Sequence, residues 1–230
     1  MQRLLDILFS GLAILVLSPL LVPIMIALRL SGEGEVFYLQ KRVGRGGRHF
    51  GVYKFATMMK NSPSIGTGTV TVKDDPRVLP LGRMLRKTKL NELPQLLNIL
   101  NGDMSIVGPR PQTQRCFDAF PRASQEKIVQ VRPGLSGIGS IVFRGEEDMM
   151  HASGEPERFY DEVIMPYKGR LEEWFVLNQG LRTYFMCIVV TLWVVLFPRS
   201  SLVWRVFPTL PEPPAEIEQA VNWPAAIIRS

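Results

Sequence analysis

The feature that most constrains this chain is an almost unbroken apolar stretch from Leu4 to Leu28. A helix needs about 20 apolar residues to cross the hydrocarbon core of a bilayer, and this stretch is long enough. Arg3 precedes it and Arg29 follows it, and no small-residue cleavage site comes next, which argues against a secretory signal peptide. The sequence therefore predicts a membrane helix, and an ordinary transmembrane anchor is the simplest interpretation.

Two prolines, in the Ser18-Pro19 pair and at Pro23, argue against a straight span. Each proline removes a backbone donor and clashes with the preceding turn, so the helix is expected to kink. A sharp kink returns the helix to the leaflet that it entered. Arg3 and Arg29 then face the same anionic surface, as the preference for positive charge inside favours. We therefore predict a re-entrant helix whose kink lies at Ser18 and Pro19.

The chain as a whole is basic. Lys and Arg number 27 against 21 Asp and Glu, which gives a net charge of +6. This balance favours anionic partners such as phospholipid headgroups or phosphorylated substrates. Nucleic acid is not an expected partner, because the chain has neither zinc-finger spacing nor an aromatic-rich RNA motif. The two cysteines, Cys116 and Cys187, lie far apart, which excludes a disulfide framework and fits a reducing compartment.

Local patterns predict short elements after the apolar stretch. These are strands at 36–39 and 52–55, an exposed loop at 61–72, and helices at 81–101, 124–131 and 156–178, with breaks at Pro94 and Pro166. A second apolar run, Leu181–Phe197, is slightly short for a span and indicates an interfacial or core helix, while a second transmembrane helix stays open. The proline-rich segment Thr209–Pro214 predicts an extended linker before a poorly ordered end.

Basic residues between Lys41 and Arg144 stand beside glycine and proline. Glycine permits close backbone approach and proline fixes a loop, so such arginines can present their planar fork to phosphate oxygens. For any single arginine a solvated surface charge is the simpler interpretation, whereas the whole set favours phosphate binding. Composition does not choose which carboxylate of this region would hold magnesium for phosphoryl transfer; the candidates are Asp74, Asp75, Glu92 and Asp103.

Several long motifs occur in a specific order. Residues 86–98 read RKTKLNELPQLLN and residues 102–111 read GDMSIVGPRP. Shorter motifs flank them: QKRVG at 40–44, YKFATM at 53–58, DPRV at 75–78 and VRPGLSG at 131–137. Together they resemble the bacterial sugar transferases, the monotopic polyprenyl-phosphate phosphoglycosyl transferases, over roughly residues 4–197. Such a set is far more specific than a lone glycine pattern.

The resemblance implies an α/β fold. We expect a small mixed α/β cytoplasmic catalytic domain with an N-terminal re-entrant membrane helix and interfacial amphipathic helices. The expected segments are a re-entrant helix at 1–30, a phosphoglycosyl transferase domain at 31–180, and an interfacial helix with a proline-rich tail at 181–230. The implied location is the cytoplasmic face of a bacterial inner membrane, with membrane phospholipids and a second copy of the chain, as a homodimer, among the partners.

The resemblance also implies the reaction. A sugar-1-phosphate moves from a UDP-sugar to undecaprenyl phosphate with release of UMP, as the first membrane step of exopolysaccharide, O-antigen or glycoprotein synthesis. In the family an aspartate attacks the sugar-linked phosphorus and the adjacent glutamate helps to bind Mg²⁺. The catalytic positions fall here at Asn91 and Glu92, with Glu92 as the metal ligand. The predicted phosphate-binding residues, which would line one pocket with Glu92, are Lys54, Arg86, Arg110 and Arg132.

Asn91 departs from this pattern, because a carboxamide carries no charge and is a poor nucleophile. Four explanations remain open. Glu92 or another carboxylate attacks; the lipid phosphate attacks directly in a ternary complex; the chain is an impaired homologue that serves as a membrane-bound lipid-phosphate-binding or scaffold protein; or Asn91 is an engineered replacement. We rank direct attack, or loss of activity, above attack by Glu92, because magnesium withdraws electron density from the carboxylate that binds it.

Overall fold

The computed structural model describes residues 1–64, 75–146, 149 and 155–224, apart from the side chains of Pro63 and Pro156. Most of the predicted loop at 61–72, and Asp74 with it, lies outside these residues. The fold is mixed α/β, as predicted. The described residues are mostly helical and form two small sheets. The chain forms two compact units: residues 3–41 and 50–104 with Met1, and residues 42–49 and 105–230 with Gln2. The predicted segments at 1–30, 31–180 and 181–230 stay predictions.

Helices dominate both units. The elements of the first half are α1 (Gln2–Leu30), β1 (Phe37–Val43), β2 (His49–Phe55), α2 (Pro80–Lys87), α3 (Gln95–Asn101) and β3 (Ser105–Val107). Those of the second half are α4 (Gln114–Asp118), α5 (Arg122–Ile128), β4 (Gly134–Ser136), α6 (Ile138–Val142), α7 (Pro156–Phe159), α8 (Met165–Leu177), α9 (Leu181–Leu196) and α10 (Leu202–Val206). β1 pairs with β2, and β3 pairs in parallel with β4.

Helix α1 continues through both of its prolines. Because Pro19 has no N–H, the carbonyl of Leu15 loses its usual donor, and the Ser18 hydroxyl donates to that oxygen at 2.7 Å instead. The middle of α1 exposes large apolar side chains, among them Leu12, Leu15 and Val16. Among the described residues, α1 is the one helix long and apolar enough to cross a membrane.

Both ends of α1 contact the rest of the first unit. Near its start, the Arg3 guanidinium donates to the carbonyl oxygens of Ile99 and Leu100 at the end of α3. Near its end, Ile24 and Leu28 join a buried cluster with Phe55 and Leu85, which belong to β2 and α2. The motif-bearing elements of this unit therefore pack directly against the apolar helix.

The predicted helix at 81–101 is divided earlier than Pro94 alone would require. Helix α2 ends at Lys87, Lys89 takes a left-handed conformation (φ 59°), and a single 3₁₀ turn, Leu90–Glu92, precedes α3. α3 is held against β2 by Asn98, whose side-chain oxygen accepts from the Tyr53 N–H at 2.9 Å. The interruption thus gives residues 88–94 a turn of their own between two packed helices.

The second unit is built around α8, whose Met165 and Leu171 are fully buried. A break was predicted at Pro166, but the chain stays helical there. A π-helical turn, Tyr160–Ile164, widens the helix immediately before the proline, which occupies the first turn of α8. A widened turn accommodates the missing N–H without ending the helix.

Helix α9 buries one face, with Tyr184, Cys187 and Val190, and exposes apolar side chains such as Leu192 on the other. The tail that follows is packed up to residue 224. Trp204 is 2% exposed and its indole N–H donates to the Val221 carbonyl at 3.1 Å. Thr209 and Leu210 lie in a turn and residues 211–214 have no regular secondary structure, but the segment is packed and is not a free linker. The predicted poorly ordered end lies largely outside the described residues. Tyr167 donates its hydroxyl to the Pro211 carbonyl at 2.8 Å, because the prolines lie against α8.

Candidate active site

The turn between α2 and α3 carries Asn91 and Glu92. Its entry residue, Lys89, has φ 59° and ψ 10°, a left-handed conformation that costs a non-glycine residue roughly 1–2 kcal/mol. Such outliers persist where the surroundings hold them in place. Here the backbone N–H of Glu92 donates to the Lys89 carbonyl at 3.1 Å, which closes the turn. The direction of both side chains is therefore fixed by the backbone.

Glu92 faces Lys54 of strand β2. The Lys54 Nζ lies 3.7 Å from the Glu92 Oε1, and the side chains are only 18% and 17% exposed. Val52 and Phe55 of the same strand are buried, which anchors the backbone around Lys54. An ion pair that is shielded from water interacts more strongly than a surface pair. The structure thus brings together two of the residues predicted for the site.

The other candidate carboxylates of this region are engaged elsewhere or exposed. Asp75 is 3% exposed, and Arg77 donates to both of its oxygens, at 2.9 and 2.6 Å. Asp103 is exposed, 3.4 Å from the Asn98 side-chain nitrogen. Within the described ranges, no group of three or more His, Cys, Asp or Glu residues is arranged for a metal ion. Glu92 is therefore the best-placed of the described candidates.

Asn91 is 8% exposed, and its side-chain oxygen has no hydrogen-bond partner among the described residues. The unpartnered amide oxygen of Asn91 and the carboxylate of the adjacent Glu92 are both hard oxygen donors. Mg²⁺ in phosphoryl-transfer sites commonly takes one or two carboxylates and completes its shell with water and substrate phosphate. The residues present therefore fit Mg²⁺, with Glu92 as the main protein ligand and the substrate as a necessary contributor.

Arg86 lies on the last turn of α2 and is partly buried. The neighbouring Leu85 is fully buried in the cluster that also holds the end of α1. Arg83, one turn earlier on the same helix, is exposed. The helix thus holds Arg86 more firmly than the surface charge beside it.

Arg110 and Arg132 lie in the second unit, on loops next to the β3–β4 pair. The two loops are joined by backbone hydrogen bonds: Gly134 N–H donates to the Pro109 carbonyl at 2.8 Å and Gly108 N–H to the Ser136 carbonyl at 2.9 Å. A side chain at Gly108 would lie 2.6 Å from the Arg132 carbonyl oxygen. Glycine is required here by close backbone approach. The prediction that glycine and proline hold these arginines on fixed loops agrees with this geometry.

Glu172, which is 1% exposed on α8, was not among the residues predicted from the sequence. Burial raises the pKa of its carboxyl to about 7, although Lys168 and both the backbone N–H and the guanidinium of Arg110 oppose the shift. In the sequence, Glu172 is only one charged residue among several in the predicted helix 156–178, and nothing there indicates that its side chain is buried. Lys168, 2% exposed, pairs with Glu146 instead, at 3.0 and 2.9 Å.

Of the predicted site residues, four belong to the first compact unit and two, Arg110 and Arg132, to the second. The first four are Lys54, Arg86, Asn91 and Glu92. Within its own unit, each set is held in place by the contacts described above. The prediction that all of the phosphate-binding residues line one pocket with Glu92 stays a prediction.

The chain was compared with known proteins. The family described as bacterial sugar transferase matches residues 1–198. A UDP-N-acetylgalactosamine-undecaprenyl-phosphate N-acetylgalactosaminephosphotransferase of Aeromonas hydrophila is 40% identical over 143 residues, 61% of this chain and 34% of that protein. The exopolysaccharide production protein ExoY of Sinorhizobium fredii is 38% identical over 166 residues, 66% of this chain and 72% of that protein.

A third relative extends the similarity further along this chain. The UDP-glucose:undecaprenyl-phosphate glucose-1-phosphate transferase of Escherichia coli is 34% identical over 190 residues, 80% of this chain and 39% of that protein. The chain thus spans little more than a third of the Aeromonas and Escherichia proteins and nearly three quarters of ExoY.

Proposed function

The chain belongs to the bacterial sugar transferase family, and we propose that it transfers a sugar-1-phosphate from a UDP-sugar to undecaprenyl phosphate with release of UMP. This is the first membrane step in building a bacterial glycan such as an exopolysaccharide, an O-antigen or a glycoprotein glycan. The observation that carries the proposal is the shielded Lys54–Glu92 pair beside Asn91, at the position where the family motif places its catalytic residues.

The proposed chemistry breaks one phosphoanhydride bond. An oxygen of the lipid phosphate attacks the sugar-linked phosphorus of the UDP-sugar, the bond from that phosphorus to the UMP oxygen breaks, and UMP leaves with the electron pair. Direct attack is proposed because Asn91 offers no negative charge. Lys54, Arg86, Arg110 and Arg132 bind phosphate oxygens and stabilise the charge that develops on them.

Glu92 holds Mg²⁺ in this proposal, and the ion when bound neutralises phosphate charge on the reacting group. Asn91 contributes its unpartnered side-chain oxygen as a neutral acceptor. Lys54 keeps the Glu92 carboxylate oriented across the 3.7 Å separation. The alternative of an impaired lipid-binding or scaffold protein finds no support among the relatives, whose names describe sugar transfer or exopolysaccharide production.

We further propose that α1 is re-entrant at the cytoplasmic face of a bacterial inner membrane. A straight helix of its 29 residues would measure about 43 Å. Contacts at both of its ends, by Arg3 with α3 and by Leu28 with β2 and α2, favour a bend that brings the ends closer together. The exposed middle then lies in the lipid, with Ser18 and Pro19 near its deepest point.

Helix α9 supports membrane attachment independently. Its 16 residues span about 24 Å, less than the hydrocarbon core, yet its outer face is apolar. A helix that lies in the interface buries such a face among phospholipids. The homodimer predicted from the family resemblance stays a prediction.

The proposed function is tested by UMP release from the purified chain in detergent or nanodiscs. UDP-N-acetylgalactosamine and UDP-glucose, the donors in the names of the relatives, are each supplied with and without undecaprenyl phosphate and Mg²⁺. We expect UMP release that requires both the lipid phosphate and the metal, and that is lost in Glu92→Gln. UMP release that is unchanged without lipid phosphate would contradict the proposal.

A further inference from the structure

Ser136 belongs to the motif at 131–137, of which the proposed chemistry uses only Arg132. The Ser136 hydroxyl lies 2.8 Å from the hydroxyl of Thr191 on helix α9. Both residues are partly buried, and the contact joins positions that are 55 residues apart in the sequence. A polar contact between a motif strand and a predominantly apolar helix calls for an explanation.

The direction of the hydrogen bonds at Thr191 follows from the protons available. The Thr191 hydroxyl lies 2.6 Å from the Cys187 carbonyl oxygen, which can only accept. A threonine hydroxyl has a single proton, so Thr191 donates that proton to Cys187 and accepts from Ser136. The contact between β4 and α9 therefore depends on the oxygen of Thr191 and the hydroxyl proton of Ser136.

Strand β4 connects this contact to the loops that carry two of the predicted phosphate-binding residues. The Ser136 carbonyl accepts from the Gly108 N–H at 2.9 Å, two residues before Arg110. Arg132 lies two residues before the start of β4. A Cβ atom at Gly137 would overlap the Gly108 carbonyl oxygen, so the backbones are in close contact and a shift of β4 moves both loops.

The buried face of α9 gives this hydrogen bond a specific role. That face is mostly apolar and consists of Tyr184, Cys187, Val190 and Val194. Apolar packing is non-directional, so by itself it leaves the helix freer to slide or rotate. A hydrogen bond weakens steeply when its angle departs from linearity, so the contact between the two hydroxyls favours one position of α9 relative to β4.

We propose that Thr191 is a positioning residue: by accepting the Ser136 hydroxyl proton, it holds the loops of Arg110 and Arg132 in the arrangement that binds the phosphates of the UDP-sugar. The inference rests on the proposed function, because it takes the phosphates bound by these arginines to be those of the donor. Thr191 itself does not touch the substrate. Since α9 is the helix proposed to lie among phospholipids, these loops are anchored to a membrane-bound element.

The test measures the Kd of UDP-N-acetylgalactosamine, of UDP-glucose and of UDP, the part that all donors share, in nanodiscs with Mg²⁺ and without lipid phosphate. Thr191→Val keeps the branched shape but removes the accepting oxygen. We expect it to weaken binding about fivefold, as the loss of one hydrogen bond implies. Thr191→Ser keeps the oxygen and should bind within about twofold of the wild type. A role in packing alone predicts the opposite order, because serine lacks the methyl group.

Ser136→Ala tests whether Thr191 acts through the proposed partner. It should weaken binding about as much as Thr191→Val, and the double variant should bind no more weakly than either single variant. Thr183→Val is the matched control on the same helix. It removes an exposed hydrogen bond of 2.6 Å to the Asn178 carbonyl, and we expect its Kd values to equal those of the wild type.

Three results would overturn the assignment: wild-type affinity in Thr191→Val, additive effects of the two substitutions, or an equal loss of affinity in Thr183→Val. If Thr191→Val does not fold, Ser136→Ala decides, and wild-type affinity in that variant would overturn it. No binding of any of the three ligands by the wild type would contradict the proposed function itself.

Discussion

Arg86 and Arg83 lie on the same helix but differ in what holds them. Arg86 is partly buried beside Leu85, whereas Arg83 is exposed. We expect Arg86→Ala to lower kcat/KM by about 100-fold, since one pre-organised charge at a reacting phosphate contributes on the order of 3 kcal/mol. Arg83→Ala should change it by less than about twofold, as is usual for an exposed charge. Equal effects of the two substitutions in the UMP-release assay would refute the role of Arg86.

The amide at Asn91 leads to a prediction about covalent intermediates. If the lipid phosphate attacks directly, the intact mass of the wild-type protein will not change during incubation with UDP-sugar alone. Asn91→Asp restores a carboxylate at a buried position beside Glu92, and we expect it to acquire the mass of a phosphosugar under the same conditions. An adduct on the wild type would show that another nucleophile operates and would reverse our ranking.

For single residues, the family resemblance assigned the metal ligand to Glu92, whereas composition alone could not choose among the acids. Asp75 and Glu92 are equally plausible on composition, and only the fold shows that Arg77 binds both oxygens of Asp75 while Lys54 faces Glu92. Glu172 was missed because burial depends on how distant elements pack, which no local pattern encodes. For the same reason, the sequence could not show that the side-chain oxygen of Asn91 lacks a hydrogen-bond partner among the described residues.

Among the elements, α1 is the one whose course we expect the Ser18-Pro19 pair to determine. Pro19→Ala restores the N–H that the Leu15 carbonyl lacks, so it should straighten the helix and favour a full span. A cysteine placed near Met1 should then react with an impermeant reagent from the periplasm. The same cysteine in the otherwise unaltered chain should stay protected. Periplasmic labelling of that unaltered chain would exclude the re-entrant topology.

The close approach of the two loops beside β3 and β4 depends on glycine. A methyl group at Gly134 would overlap backbone atoms of Gly108, which cannot move without breaking the hydrogen bonds between the loops. We expect Gly134→Ala to cost about 3 kcal/mol or more, which lowers Tm by roughly 6–12 °C in a domain of this size. Gly145→Ala has open space and is the control. Equal Tm values for the two variants would contradict the close approach.

Element types were more predictable than their ends. The strands at 36–39 and 52–55 follow from β-branched and aromatic residues between glycines, and both fall largely within β1 and β2. The break in the predicted helix 81–101 was placed at Pro94, but the chain turns already at Lys89. Lysine does not favour a left-handed conformation, so nothing in the sequence indicated this turn. At Pro166 the opposite occurred, because a π-helical turn absorbs the proline.

For the whole molecule, the family match ends at residue 198 but the packed structure does not. Trp204, Ile217 and Val221 bury the tail within the second unit. The sequence suggested a linker because proline excludes regular structure. Proline does not exclude packing, and the aromatic and aliphatic residues on both sides of the proline run supply the buried contacts. Composition therefore predicted the lack of regular structure around the prolines but not their association with α8.

In its lipid, the whole chain is proposed to move a phosphosugar onto undecaprenyl phosphate. The most direct measurement is the mass of the extracted lipid after incubation of the purified chain with a UDP-sugar, Mg²⁺ and undecaprenyl phosphate in nanodiscs. We expect the lipid to gain one sugar-phosphate group, UMP to appear in equal amount, and Glu92→Gln to form neither product. Lipid that keeps its original mass with every UDP-sugar tested, in a protein shown to be folded, would contradict it.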